Sequence, residues 1–306
     1  MAVNAILEKV HYRKVFYLVF GLLIALLLLV RYIALPQVDA TIGSGWVFAV
    51  ARVSETLLAS FVVTVAIGAF VFWLTPGIMR IAPMEVIEPR EIGPLLERAL
   101  LTSSFWWYKG SAGRYFRAVT LPEMARAARK ESLSREVNAL ILDPTDDRLC
   151  EEYATYRRSL KSATESDPWT KQRVKCELVA TIMTVLRYQE QEPLLRIRLG
   201  LTRYLSSFRL DLSSQYVIVT KEDRDAPAMR CDKDTYFYRS YYDEIVLAHR
   251  QAREIKGGIR IPAAAELTAA DVGRVLASVG MGNSGMDEED LKGVIRMLTQ
   301  PKNPYA

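Results

Sequence analysis

The chain has 306 residues, half of them hydrophobic and a quarter charged, with a formal charge of +5 and a pI near 9.0. This mild basic excess permits an anionic partner, lipid head groups or nucleic acid, without requiring one. The three widely spaced cysteines, Cys150, Cys176 and Cys231, argue against a disulfide framework or a clustered zinc site, and favour a reducing compartment for the C-terminal part.

Nearly all the unbroken apolar sequence lies before about residue 80. Residues 15–30 (VFYLVFGLLIALLLLV) carry no charge, and residues 32–35 complete a span of ~30 Å if Arg31 snorkels to the interface. Residues 56–74 (TLLASFVVTVAIGAFVFWL) are uncharged and long enough to cross, with Trp46 and Trp73 suited to the interfaces and Pro76-Gly77 ending the helix. The expected organisation is a transmembrane hairpin in residues 1–80 (spans at about 15–35 and 56–74), an α/β domain over 81–260 and a helical extension over 261–306. A competing reading of the first segment is a cleaved signal peptide, since Val38-Asp39-Ala40 has a small-x-small form; the long apolar core and the second span behind it favour an anchor. Lys9, Arg13 and Lys14 precede the first span, which predicts that both ends of the chain face the cytoplasm.

The first span is leucine-rich, whereas the second carries Ala59, Ser60, Thr64, Ala66, Gly68 and Ala69. Small residues suit close helix packing within the hairpin. A sharper alternative is a pore lined by Ser60, Thr64 and Gly68 with Glu55 as a ring of charge, which needs a homo-oligomer because one hairpin cannot enclose a channel.

Residues 83–94 read as a linker rich in Pro and Glu, and 95–101 as a short helix. Residues 105–117 (FWWYKGSAGRYFR) form an aromatic run into a glycine-punctuated turn flanked by Lys109, Arg114 and Arg117. A helix over 121–132 and a buried strand over 137–142 follow, then helices over 146–159 and 174–190. Period-two alternation takes over next: Leu195, Ile197, Leu199 and Leu201 face one way, Arg196 and Arg198 the other. A strand over 208–212 pairs with 215–220 through a Ser213-Ser214 turn. Residues 221–234 read as a polar loop, 236–255 as containing a long helix, and Thr268 with Asp271 as the capping box of a short helix. A last helix covers 286–298, after a glycine-containing break at 280–285. This alternation of strands and helices predicts an α/β cytosolic domain.

No phosphate-loop ending of the Gly-Lys-Ser/Thr type is present. Asp143, Asp146 and Asp147 crowd a strand end, where a helix N-terminus explains them better than a magnesium site. A Ser-His-Asp arrangement around His249 lacks a nucleophile elbow. No catalytic residue, metal or cofactor is therefore expected. The binding candidates are Lys109, Arg114 and Arg117 beside the aromatic run, with Arg196, Arg198, Arg203 and Arg209 on or near the strands. Aromatic faces next to guanidinium groups are what single-stranded nucleic acid requires. The plain alternative is core aromatics and a solvated arginine face, and convergence in space separates the two.

The order of elements over residues 95–255 resembles one repeat of the phospholipase D-like fold: an aromatic-Gly-Ser loop, a helix, a strand ending in Leu142-Asp143-Pro144, a long helix, antiparallel strands and a Tyr-rich helix. That family needs a His and a Lys two residues apart. This chain has only His11 and His249, the latter followed by Arg250-Gln251. The resemblance therefore implies a catalytically inactive binding scaffold. A two-helix hairpin on such a domain is in turn similar to membrane effectors of bacterial anti-phage defence, of the Hailong and retron-associated kinds. The resemblance implies an oligomeric inner-membrane channel controlled by single-stranded DNA or an oligonucleotide. Its implied partner is a nucleotidyltransferase or a reverse transcriptase. The alternatives are an anchored scaffold that recruits a cytosolic partner, and a divergent phospholipase D-like enzyme.

Overall fold

A computed structural model describes residues 10–34, 45–74, 84–163, 168–282 and 285–305, in two compact units divided between Ile81 and Ala82. Lys9, the 38–40 motif, Pro76 and Gly77 lie outside the described residues, as do the side chains of His11, Arg13, Lys14, Trp46 and Trp73.

In the first unit, α1 (Val10–Leu29) runs into a π-helical turn, Val30–Ala34, and α2 spans Gly45–Leu74. The second helix therefore begins well before the expected residue 56. Phe20 meets Phe61 edge-to-face at 5.6 Å, and Arg31 Nη2 donates to Glu55 Oε1 at 2.8 Å. As numbering rises along α1 it falls along α2, so the helices pack antiparallel. Ala49–Phe70 is 22 residues with mean hydropathy 1.8, long and apolar enough to cross a membrane, and 11% of its most apolar window is buried. Tyr17–Ile33 is a shorter apolar stretch. Gly68 is buried, whereas Glu55, Ser60 and Thr64 are exposed in the single copy. Thr64 Oγ1 donates to Ser60 O at 2.8 Å, which satisfies the hydroxyl within the helix without water.

The second unit is an α/β domain. Its sheet has eight strands in the order β1-β7-β6-β5-β2-β3-β4-β8. These are β1 (Glu85–Ile87), β2 (Phe105–Lys109), β3 (Arg135–Leu142), β4 (Leu195–Thr202), β5 (Phe208–Ser213), β6 (Tyr216–Lys221), β7 (Ala228–Asp232) and β8 (Arg253–Ile255). β2, β3 and β4 are mutually parallel, and every other pairing is antiparallel. The expected linker over 83–94 holds β1 and the start of α3 (Pro89–Thr102), which continues through the helix expected over 95–101, and the expected polar loop holds β7. Both strands are short and lie at or beside the sheet edge, where pairing with a neighbour outweighs a weak local pattern.

α4 (Leu121–Glu131) joins β2 to β3, while α5 (Asp147–Arg158) and α6 (Lys171–Gln191) join β3 to β4. Successive right-handed crossovers in one direction place their helices on one face of a sheet. The larger core lies on that face, where Leu96, Met124, Leu178 and Ile182 meet the strand residues Val137, Ile141, Leu199 and Leu201. α8 (Ala269–Ser278) and α9 (Glu288–Thr299) complete this layer. Thr268 and Asp271 form the predicted capping box of α8, and Asp287 with Asp290 forms another on α9. The opposite face carries a smaller core in which α7 (Tyr236–Gln251) sets Tyr238 and Ile245 on Trp107, Leu210, Leu212 and Val217.

Candidate anion-binding site

Tyr108, the penultimate residue of β2, begins the construction. Beyond the strand, the chain turns through Gly110 to Gly113, and Gly113 has φ +71°, a left-handed conformation that favours glycine. A Cβ there would also stand 2.9 Å from Thr181 Cγ2. Thr181 Oγ1 in turn donates to Ala112 O at 2.7 Å, which ties the turn to α6. The helix that follows widens into a π turn over Phe116–Thr120 just before Pro122. Proline has no N–H for the carbonyl four residues back, and a widened turn relieves the clash its ring would cause there.

Glu177 on α6 organises the first turn of this helix. Its Oε2 accepts from Arg117 Nη2 at 2.6 Å and its Oε1 lies 3.3 Å from Arg114 Nε. Arg117 also donates to Thr181 Oγ1 at 3.0 Å. Arg114, with about a quarter of its side chain exposed, is thereby aimed along the edge of a cavity of about 330 Å³. This size falls at the lower end of the ~300–1,000 Å³ usual for small-ligand sites.

The floor of the cavity is Arg209. Strand alternation on β5 sends Leu210 and Leu212 to the α7 side and Arg209 and Asp211 to the helix-rich side. Arg209 Nε donates to Asp211 Oδ2 at 2.6 Å, and the guanidinium carbon lies 5.6, 5.2 and 5.7 Å from the ring centroids of Tyr108, Tyr115 and Tyr305. Burial pushes the Asp211 carboxyl up, against the pull of Arg209, and pushes the Tyr108 and Tyr115 phenols up strongly. The tyrosines therefore stay neutral, and one buried cation sits among three ring faces.

Trp169, just ahead of α6, gathers a second group. The guanidinium carbons of Arg157 and Arg173 each lie 4.6 Å from its ring centroid and that of Arg114 lies 5.7 Å away. Arg157 donates to Glu222 O at 2.6 Å and pairs with its carboxylate at 3.1 Å. With Lys221, Arg224 and Lys302, the cavity lining holds seven cationic side chains and one acidic one, Glu222, while Asp211 and Glu177 pair with Arg209 and Arg114 from behind the lining. Such an arrangement attracts a multiply charged anion and raises its local concentration.

Of the residues singled out from sequence, Arg114 and Arg209 line this cavity and Arg117 anchors Arg114 from behind. The others do not converge. Lys109 follows Tyr108 on the strand, so it faces the α7 side and pairs there with Glu244. Arg196 and Arg198 lie exposed on that same α7 side, where Arg198 donates to Asn138 Oδ1 at 2.9 Å. Arg203 lies 3.9 Å from Asp143 and is otherwise exposed. The aromatic run is core: Trp106, Trp107 and Tyr108 are buried, so none offers an open face for base stacking. Sequence reasoning missed Trp169, Arg157, Arg173 and the C-terminal residues Lys302 to Tyr305. Two arginines within a dozen or so residues of a tryptophan were the available signal.

The acidic group at the end of β3 is dispersed. Asp146 caps α5 by accepting from Leu149 N, Asp147 accepts from Lys171 and Lys175, and Asp143 accepts from Thr145 and Arg253. Burial opposes ionisation of Asp143, but the hydrogen bonds from Thr145 and Arg253 outweigh it and hold its carboxyl below the usual range. Among the described residues no His, Cys, Asp and Glu side chains gather to hold a metal ion. His249 is half-buried against Trp107 at 5.7 Å between ring centroids.

No protein-family model matches the chain, and no curated protein matches it. Among solved structures, TrmBL2, described as an archaeal chromatin protein with a novel mode of DNA binding, overlaps at 12% identity and a TM-score of 0.33. The overlap covers 66% of this chain and 65% of that one. At that score it carries no argument about fold or ligand.

Proposed function

We propose that this protein is a membrane-anchored effector whose α/β domain senses a phosphate-bearing ligand of the nucleic-acid class. The observation that carries the reading is the cavity beyond β2, whose lining holds seven cationic side chains and one acidic side chain. Guanidinium groups held in place by Glu177, Trp169 and Glu222 are pre-organised for phosphate oxygens. Because Tyr108, Tyr115 and Trp169 are buried and Tyr305 is half-buried, recognition falls on the phosphates, not on the bases. The length and apolarity of α2 support its insertion in a bilayer, and the exposed stripe Leu18, Leu22, Leu26 and Leu29 on α1 supports lipid contact.

In this reading the N-terminal helices form a hairpin in a bacterial inner membrane, with both chain ends cytoplasmic. Copies assemble into a homo-oligomer, and an oligonucleotide made by a partner nucleotidyltransferase or reverse transcriptase biases the assembly between closed and conducting states. The ligand must bind the two states with different affinity for this to work. The defence role rests on the resemblance of architecture. Thr64, with its hydroxyl satisfied internally, is compatible with lipid as well as with a pore, whereas burial places Gly68 at a packing contact inside the unit. Glu55 contributes to a charged ring only if it exchanges Arg31 for another partner.

The test is fluorescence anisotropy of a labelled oligothymidylate with the full chain in detergent. Binding should weaken markedly in Lys221→Glu and Lys302→Glu, whose side chains are exposed and whose loss spares the core. Equal binding by wild type and both variants would place the ligand elsewhere.

A second reading, an anchored scaffold for a cytosolic partner, is favoured by Tyr236 and Leu247, which α7 exposes on its outer surface. The phospholipase D-like enzyme draws no support from His249, which burial and Arg198 hold below its ordinary pKa.

A further inference from the structure

Arg209 poses a physical problem that the cavity as it stands does not solve. The side chain is nine-tenths buried, and its Nε is committed to Asp211 at 2.6 Å. Nη1 donates to Tyr305 Oη at 3.3 Å, a long bond to a neutral acceptor. Nη2 is buried with no hydrogen-bond partner. An unsatisfied buried donor on a charged group is costly and calls for a missing acceptor.

The cover over Arg209 is the C-terminal tail. Residues beyond α9 run without regular structure to Tyr305, whose ring meets Tyr115 edge-on at 5.2 Å. The tail is held mainly by packing: Tyr305 N donates to Asn303 Oδ1 at 2.9 Å within the tail itself, the Tyr305 ring packs against the larger core, and Gly93 on α3 leaves room for its Cβ. Lys302 and Tyr305 both line the cavity. The phenol therefore occupies the place above the guanidinium that an anion entering the cavity would take.

We propose that Arg209 is a phosphate subsite held closed by Tyr305. A terminal or bridging phosphate displaces the phenol and accepts from both Nη1 and Nη2, while Asp211 keeps Nε and fixes the plane of the fork. Charge-assisted bonds of this kind are shorter and stronger than the 3.3 Å contact they replace. Tail release then accompanies ligand entry, and because the tail continues directly from α9, occupancy is reported to the helical layer. This inference rests on the proposed function for the identity of the ligand, but the subsite itself requires only phosphate chemistry.

The experiment is calorimetric titration of the full chain in detergent with inorganic pyrophosphate. Tyr305→Phe removes the competing hydroxyl and should tighten binding by about threefold, the factor a weak hydrogen bond is worth. In an Arg209→Lys background, which keeps the charge for Asp211 but loses the fork, that gain should vanish. An unchanged or weaker affinity in Tyr305→Phe, a gain that persists with Arg209→Lys, or no pyrophosphate binding at all would overturn the proposal. Should Arg209→Lys fail to fold, fluorine NMR of 3-fluorotyrosine at position 305 decides independently. Pyrophosphate should shift it to the narrow resonance of an exposed ring, and an unmoved resonance at saturation overturns the proposal. Pyrophosphate binding without oligothymidylate binding would uphold the subsite and refute the functional reading.

Discussion

Arg117 Nη2 donates to Glu177 Oε2 at 2.6 Å, and both side chains are 5% exposed. The pair fixes the helix that follows β2 to α6, and the second oxygen of Glu177 steadies Arg114 at the cavity wall. Removing one member of a buried pair leaves the other without compensation. Glu177→Ala, which strips the carboxylate from both arginines, should lower unfolding stability by about 3–5 kcal/mol, and Arg117→Ala by less because Arg114 still faces Glu177, both read from denaturant unfolding. The double replacement Arg117→Met with Glu177→Leu should cost less than either single change.

Gly113→Ala should destabilise by roughly 1–3 kcal/mol, since the added Cβ meets a left-handed backbone as well as Thr181. A second change, Thr181→Ser, removes the contacting methyl and should recover only part of the loss. Thermal unfolding of Gly113→Ala, Thr181→Ser and the double variant separates strain in the backbone from crowding.

How much of this was legible in the chain depends on the range of the signal. The alternation Leu195, Ile197, Leu199, Leu201 and the capping pair Thr268 and Asp271 are local patterns, and both appear as expected. Lys109 and Arg209 show where local pattern stops. Each stands beside a core aromatic or aliphatic residue, and which face it takes depends on sheet register and on which face the helices cover. Trp169 draws Arg114, Arg157 and Arg173 together from two helices and a turn, and Tyr305 reaches Arg209 across almost a hundred residues. Neither relation has a periodicity to betray it.

The cysteines should be inert in the folded protein. Burial pushes the thiols of Cys150 and Cys176 up to about 12 and that of Cys231 to about 11, so the reactive thiolate is scarce at pH 8. Iodoacetamide should label none of the three in native protein and all of them in urea, as read by intact-mass spectrometry.

His249 should make stability fall on the acid side. Burial first, then the neighbouring Arg198, holds its pKa below the ordinary 6.5 of histidine, so the unfolded chain binds a proton that the folded chain resists. The resulting contribution is fully present above the unfolded value and is lost as pH falls through 6.5 toward the folded one. Between pH 7.5 and 5.5 the wild type should lose more stability than His249→Gln, measured by denaturant midpoint.

Phosphate recognition should leave a salt signature. The slope of log affinity for oligothymidylate against log salt concentration should shrink by about 0.7 in Lys302→Ala, the value of one contact to a single strand. Arg196→Ala and Arg198→Ala, on the opposite side of the sheet, should leave that slope unchanged.

The most direct test of ligand control is ion flux from liposomes that hold the full chain, titrated with oligothymidylate. Wild type should show a flux that the oligonucleotide changes, in either direction, and Lys221→Glu with Lys302→Glu should show the same basal flux without that response. No flux under any condition, or an equal response in the double variant, would contradict control through the cavity.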